Sequence, residues 1–320
     1  MIDRPWLAAV LAPVVLFGAA AQARAAEAYD AANWHGLCDA VGCSTWGAGE
    51  TLAQPGYVLL AETAGGRRLV FGAGVRAQRP SDGQLKIEIA DKAGATLWSA
   101  TLPGRANRPS TRAVLYDDAE IQRVLDALKA GASLKLGLTS DPWPAATIAL
   151  KDAGAALAWS RAKPGVAASP PIVRRPAAPP SADLPSTPPE VAKACEALSE
   201  FAIVRLSPNK ILWVSNCSGV SINEDAKLHM TDDAGRLLPL PAFGDAPVGG
   251  APELTNVTFD YQTRVLTAVF RDNRYYGCGQ RRDWVWDGQR LALIRDASAE
   301  CIGMDETDWP TSFRAMVEER

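Results

Sequence analysis

The sequence predicts a mainly β protein: two antiparallel β-sandwich or barrel-like domains, the first with one α-helix, joined by a Pro-rich linker. Three observations predict it. Apolar runs of strand length recur along the chain, separated by Gly, Pro, Asn and Asp turns. One stretch, residues 117–131, instead spaces its apolar residues as a helix does. Between residues 163 and 190 the periodicity stops, and proline and alanine take over.

Residues 1–25 read as a signal peptide. Asp3 and Arg4 precede an apolar run from Trp6 to Ala20, and Ala23-Arg-Ala25 supplies the small-residue cleavage site. Cleavage is expected after Ala25, with Ala23 and Ala26 as alternatives. A membrane anchor needs about 20 apolar residues, more than this run supplies. The mature chain is therefore expected to be periplasmic or secreted, with no transmembrane segment. Loss of Asp3, Arg4 and Arg24 takes the net charge from −3 to −4. So slight a balance points to neither nucleic acid nor an anionic membrane as partner.

Six cysteines are present: Cys38, Cys43, Cys195, Cys217, Cys278 and Cys301. Six allow 15 pairings. Sequence alone cannot choose among them, but sequential pairs, which let each half of the chain keep its own bridges, are expected: Cys38–Cys43, Cys195–Cys217 and Cys278–Cys301. Bridges that close loops of about 20 residues contribute around 3 kcal/mol each. With no Cys-x-x-Cys and only His35 and His229, structural zinc is not expected, and no metal or cofactor is indicated.

The N-terminal β-rich domain spans residues 26–162. Strand-like runs occur at Tyr57–Glu62, Arg68–Arg76, Gln84–Ala90 and Thr96–Leu102, with turn residues such as Gly65-Gly66 and Lys92-Ala-Gly94 between them. The helix opens on Asp117-Asp118-Ala-Glu120, acidic where the macrodipole favours it. Ile121, Val124, Leu125 and Leu128 form its apolar face, and Gly131 is placed for a left-handed cap. Strands follow at Ser133–Thr139 and Ala146–Leu150, while Ala153–Trp159 fits no single state.

The linker, residues 163–190, contains Pro170-Pro-Ile-Val-Arg-Arg-Pro-Ala-Ala-Pro-Pro180 and is expected to act as an extended, semi-rigid spacer. The C-terminal β-meander domain, residues 191–320, shows four hairpins. Their turns are Ser207-Pro-Asn209, Asp232-Asp-Ala-Gly235, Asp260-Tyr-Gln-Thr263 and Asp287-Gly288. The last joins Asp283–Trp286 to Arg290–Ile294, and Asp-Gly there predicts a type I′ turn.

Gly277-Cys-Gly279, then Trp284-Val-Trp-Asp-Gly288, Cys301 and Asp308-Trp-Pro310, resemble the C-terminal signature of exported bacterial proteins grouped as domain of unknown function 1176. The helix followed by Ile148-Ala-Leu-Lys-Asp-Ala-Gly-Ala-Ala-Leu157 is similar to that family's first half, and the Pro-rich middle and six cysteines fit it. Gln280-Arg-Arg-Asp283 departs from it, standing where the family has small residues. The resemblance implies no particular activity. The first half also resembles invasion-associated locus B proteins, which are exported, cysteine-paired β-domains linked to host-cell entry.

No nucleophile–base pair is legible. Neither histidine has a Gly-x-Ser-x-Gly elbow, and no thiol is left free if all cysteines pair. Asp283, Asp287, Glu300, Asp305, Glu306 and Asp308 cluster near the last hairpin and could in principle serve glycan hydrolysis. Asp287 is accounted for by its turn, and Asp305–Asp308 by a solvated loop. That loop lacks the calcium-binding order of acidic residues. The remaining feature is a basic-aromatic surface, Arg274, Tyr275, Tyr276, Arg281, Arg282 and Trp284, made of the side chains that dominate interface hot spots. If the tryptophans face inward, they are core instead. The expected function is that of a non-enzymatic periplasmic binding protein that contacts an envelope protein or cell-wall glycan. The alternatives are an envelope glycan hydrolase and a lysozyme inhibitor.

Overall fold

The computed structural model describes residues 26–49, 55–74, 83–107, 110–139, 146–163, 169–179, 183–195, 198–217, 222–244, 254–273 and 277–320. The leader, 1–25, and Arg274, Tyr275 and Tyr276 lie outside them. The fold is mainly β, with several antiparallel sheets. Among the described residues no helix is long and apolar enough to cross a membrane.

The first block builds one ten-stranded antiparallel sheet. Its strands are β1 (Glu27–Ala31), β2 (Trp34–Cys38), β3 (Gly42–Ala48), β4 (Gly56–Thr63), β5 (Gly66–Gly74), β6 (Gly83–Ala90), β7 (Thr96–Asn107) and β8 (Ser110–Leu115). Helix α1 (Asp118–Ala130), β9 (Ser133–Leu138), β10 (Ala146–Ala149) and helix α2 (Ala153–Ala162) follow. The order β1-β2-β3-β4-β5-β8-β7-β6-β9-β10 is a meander with one detour. The sheet curls until its far ends meet: Trp34 Nε1 on β2 donates to the Ala149 carbonyl on β10 at 2.9 Å. No ladder joins β1 to β10 among the described residues, so this is a curled open sheet rather than a closed barrel.

Both helices fill the hollow. Asp117 caps α1 by accepting from the Glu120 amide, and Ile121, Val124, Leu125 and Leu128 are buried as their spacing predicts. Gly131 differs from expectation. Its φ of −76° is extended, not left-handed. A β-carbon there would come within 2.8 Å of Ile89 and Leu150, so close packing, not backbone sign, calls for glycine. The undecided alanine-rich stretch is α2, which buries Ala153, Ala156 and Leu157.

The second block starts with strand β11 (Ile172–Arg175) and helix α3 (Pro189–Ala192). Strands β12 (Leu198–Ser207), β13 (Lys210–Cys217), β14 (Asp225–Thr231) and β15 (Leu237–Leu238) form one sheet. The other comprises β16 (Phe243–Gly244), β17 (Thr258–Asp260), β18 (Val265–Asn273), β19 (Cys278–Trp286), β20 (Leu291–Ala299) and β21 (Thr311–Arg314). The chain ends on β22 (Met316–Glu319). Val204, Leu212 and Met230 from the first sheet meet Leu266, Trp284, Trp286 and Leu293 from the second in one core, a two-layer sandwich.

The three disulfides are Cys38–Cys43, Cys195–Cys217 and Cys278–Cys301. The last hairpin is not of type I′. Gly288 has φ +104°, but Asp287 is not in the left-handed region. Its carboxylate instead accepts from the amides of Gln289 and Arg290, and this side-chain turn needs an ordinary φ.

The Pro-rich segment is extended, but its described residues are docked rather than free. Strand β11 pairs in parallel with β22. Arg264 donates to the Pro176 carbonyl and Arg205 to that of Asp183, both at 2.9 Å. Val191 packs with Ile211 and Trp213. Prolines have no amide to pair, so the backbone is held by its carbonyls and by the short Ile172-Val173 run.

The two blocks share a buried seam. Tyr57, Leu59 and Val70 of the first pack on Val269, Ala297, Met304 and Trp309 of the second. At its polar end Asp308 accepts from Arg112 at 2.9 Å and from the Tyr57 hydroxyl at 3.1 Å, with Arg68 3.2 Å away. Burial, reinforced by the Asp308 charge, pushes the Tyr57 phenol far above its ordinary pKa, so it remains a donor.

Candidate functional site

The expected basic-aromatic surface does not assemble from its described members. Trp284 is 1% exposed and stacks edge-on with Phe243, 5.3 Å between centroids, inside the sandwich core. Past the register shift between Asp283 and Trp284, Trp284 and Trp286 both belong to the sandwich core, so Trp284, expected in the binding surface, takes the core reading instead. Arg281 and Arg282 lie on opposite faces and are each spoken for. The first is 3.1 Å from Asp283 and the second 3.7 Å from Asp296.

Most of the carboxylates are likewise committed, and Glu300 is exposed. Asp283 also accepts from the Thr267 hydroxyl at 2.8 Å. Glu306 pairs with Arg271 at 2.7 Å. Asp305 and Asp308 are buried, which corrects the expectation of a solvated loop: the chain folds back so that Asp308 meets arginines of the first block. Burial raises the Asp308 pKa against the opposing pull of Arg112 and Arg68. Its side chain is wholly enclosed, so no glycosidic oxygen could reach it. His35 is engaged too, 2.7 Å from Asp30 and stacked on Trp46. Among the described residues no His, Cys, Asp and Glu group is placed to hold a metal.

A groove of about 470 Å³ opens instead at the turn end of the same hairpin. One wall is Pro171–Arg174 of β11 and its approach, and the other is Asp287 and Arg290 of the turn. Leu293 and Phe313 add apolar lining, and Arg320 a further cation. Its size is that of ordinary ligand clefts. Arg174 lies 3.6 Å from Glu318 and Arg290 3.4 Å from Asp287, loose pairs on an exposed rim. Since Asp287 is occupied by its own turn, the lining is cationic and apolar. Arg290 and Asp287 sit in the hairpin that the sequence singles out. Arg174 joins them only because β11 docks beside β22, which no local pattern reveals.

The model of one family, described as protein of unknown function (DUF1176), matches residues 160–316. The matched stretch takes in β11, both sheets of the sandwich and most of the groove lining. No curated protein and no solved structure matches the chain.

Proposed function

We propose that this chain is an exported, non-enzymatic binding protein that contacts an anionic envelope partner through the groove between β11 and the last hairpin. Residues 1–25 are the signal peptide, 26–162 and 191–320 the two domains, and 163–190 the segment between them. The partner is an acidic envelope protein or cell-wall glycan, met in the periplasm or outside the cell. The groove carries this reading, with arginines at its rim and apolar residues in its lining. Guanidinium groups hold carboxylates in forked pairs, and the apolar lining covers the apolar part of the ligand. Three disulfides suit an oxidising compartment.

The test is calorimetric titration of the mature protein with soluble, carboxylate-bearing cell-wall glycan fragments and, separately, with acidic envelope proteins. Saturable binding to one of them is expected, weakened at least tenfold by Arg174→Glu combined with Arg290→Glu. Absence of saturation with both classes, or equal binding by the double variant, would sink the proposal. Added salt should weaken the wild-type interaction, because the rim charges are exposed.

A further inference from the structure

A smaller cavity of about 30 Å³ lies between Arg175 of β11 and residues of both sandwich sheets. Its lining includes Pro176 and Pro179, Trp284 and Trp286, and Arg175 and Arg205. Four of these residues carry a buried nitrogen with no hydrogen-bond partner: Nε1 of Trp284 and of Trp286, and Nε of Arg175 and of Arg205. The two indoles are 1% and 7% exposed. A buried donor left unpaired costs roughly 1–3 kcal/mol, and all four belong to residues that line this one cavity.

The side-chain polar groups that line the cavity are all donors. Its other lining side chains are aliphatic or aromatic apart from Arg264, which is a donor as well. A water there would accept from two of the four nitrogens yet find no side-chain acceptor for its own protons. An oxyanion has only lone pairs to offer, and the low-dielectric walls strengthen each bond to it. The arginines are also held in place for such a guest. Arg175 pairs with Glu319 at 3.0 Å, and Arg205 pairs with Asp233 and donates to the Pro208 and Asp183 carbonyls at 2.9 Å, which leaves only Nε of each without a partner.

We propose that this cavity is a second binding site, distinct from the groove, that takes the oxyanion head, carboxylate or phosphate, of a small ligand. The volume admits the head alone. A short apolar tail would have to leave the cavity past its apolar lining.

The experiment follows the indole N–H resonances of Trp284 and Trp286 in the whole mature protein. Each is assigned with its Trp→Phe variant. Chloride, phosphate, acetate and hexanoate are titrated in turn at constant ionic strength. Both resonances should move downfield and saturate with an oxyanion while chloride leaves them in place. Trp286→Phe should weaken the apparent affinity about tenfold, the effect of one hydrogen bond to a charged acceptor. A response to the carboxylates alone identifies an organic acid head, and a response to phosphate alone a phosphate head. Tighter binding of hexanoate than acetate places the tail against the apolar lining. Resonances that stay put with every oxyanion would overturn the proposal, as would undiminished affinity in Trp286→Phe. If that variant fails to fold, the titration of the unsubstituted protein decides alone.

Discussion

Tyr57→Ala is expected to lower the unfolding free energy by about 4 kcal/mol, read from urea denaturation of the mature protein. Tyr57 is fully buried and serves both sides of the seam. Its ring lies over Gly72, where a β-carbon would stand 2.1 Å from Cε1, so there is no slack around it. Truncation leaves a cavity between the two blocks and removes the proton that Asp308 accepts. Tyr57→Phe keeps the ring and loses only that hydrogen bond, for an expected cost of about 1–2 kcal/mol. A loss under about 1 kcal/mol in the alanine variant would mean that the seam contributes little to holding the blocks together.

Gly279→Ala should cost about 3 kcal/mol, in contrast to about 1 kcal/mol for Gly288→Ala. Both glycines have positive φ, +137° and +104°. They differ in space. A β-carbon on Gly279 would lie 1.9 Å from the Phe270 carbonyl oxygen, part of the neighbouring strand's backbone, whereas at Gly288 nothing comes within 4 Å. The ladder already shifts register opposite Cys278, between Arg271 and Asn273, so the strands cannot separate there without disturbing the Cys278–Cys301 bridge. Free-thiol titration after oxidative refolding provides a second readout, with unpaired cysteine expected only in the Gly279 variant. Equal stability losses at the two positions would show that φ alone, not the strand contact, sets the requirement.

What could be read in the sequence was whatever neighbouring residues decide. Helix α1 announces itself through Asp117 and a four-residue apolar stripe, and the hairpins through their turn residues. The type of the last turn was less legible, because Asp-Gly suits both a left-handed pair and a carboxylate that caps the following amides. Helix α2 was obscure for a different reason. Alanines that pack in a tight hollow carry little periodic contrast. Trp284 belonged by period to one of two faces, and only the placement of the second sheet says which face is core. Asp308 reads as one member of an acidic string. Its meaning comes from Arg112, 196 residues earlier. The groove depends on another long-range pairing, with Arg175 reaching Glu319 across 144 residues.

That parallel pairing of Ile172–Arg175 with Met316–Glu319 has a consequence for how such a unit can travel between genes. It brings the entry and the exit of the sandwich side by side. A segment with adjacent ends can be spliced into a surface loop of an unrelated host without prising the host's chain apart, or be rejoined head to tail and reopened elsewhere. Here the recipient would have to provide one thing more. Val269, Ala297, Met304 and Trp309 now rest on the curled sheet, and a transplanted copy would arrive with that strip uncovered. Any graft that succeeds is expected to bring its own cover for those four side chains, or to have replaced them with polar ones.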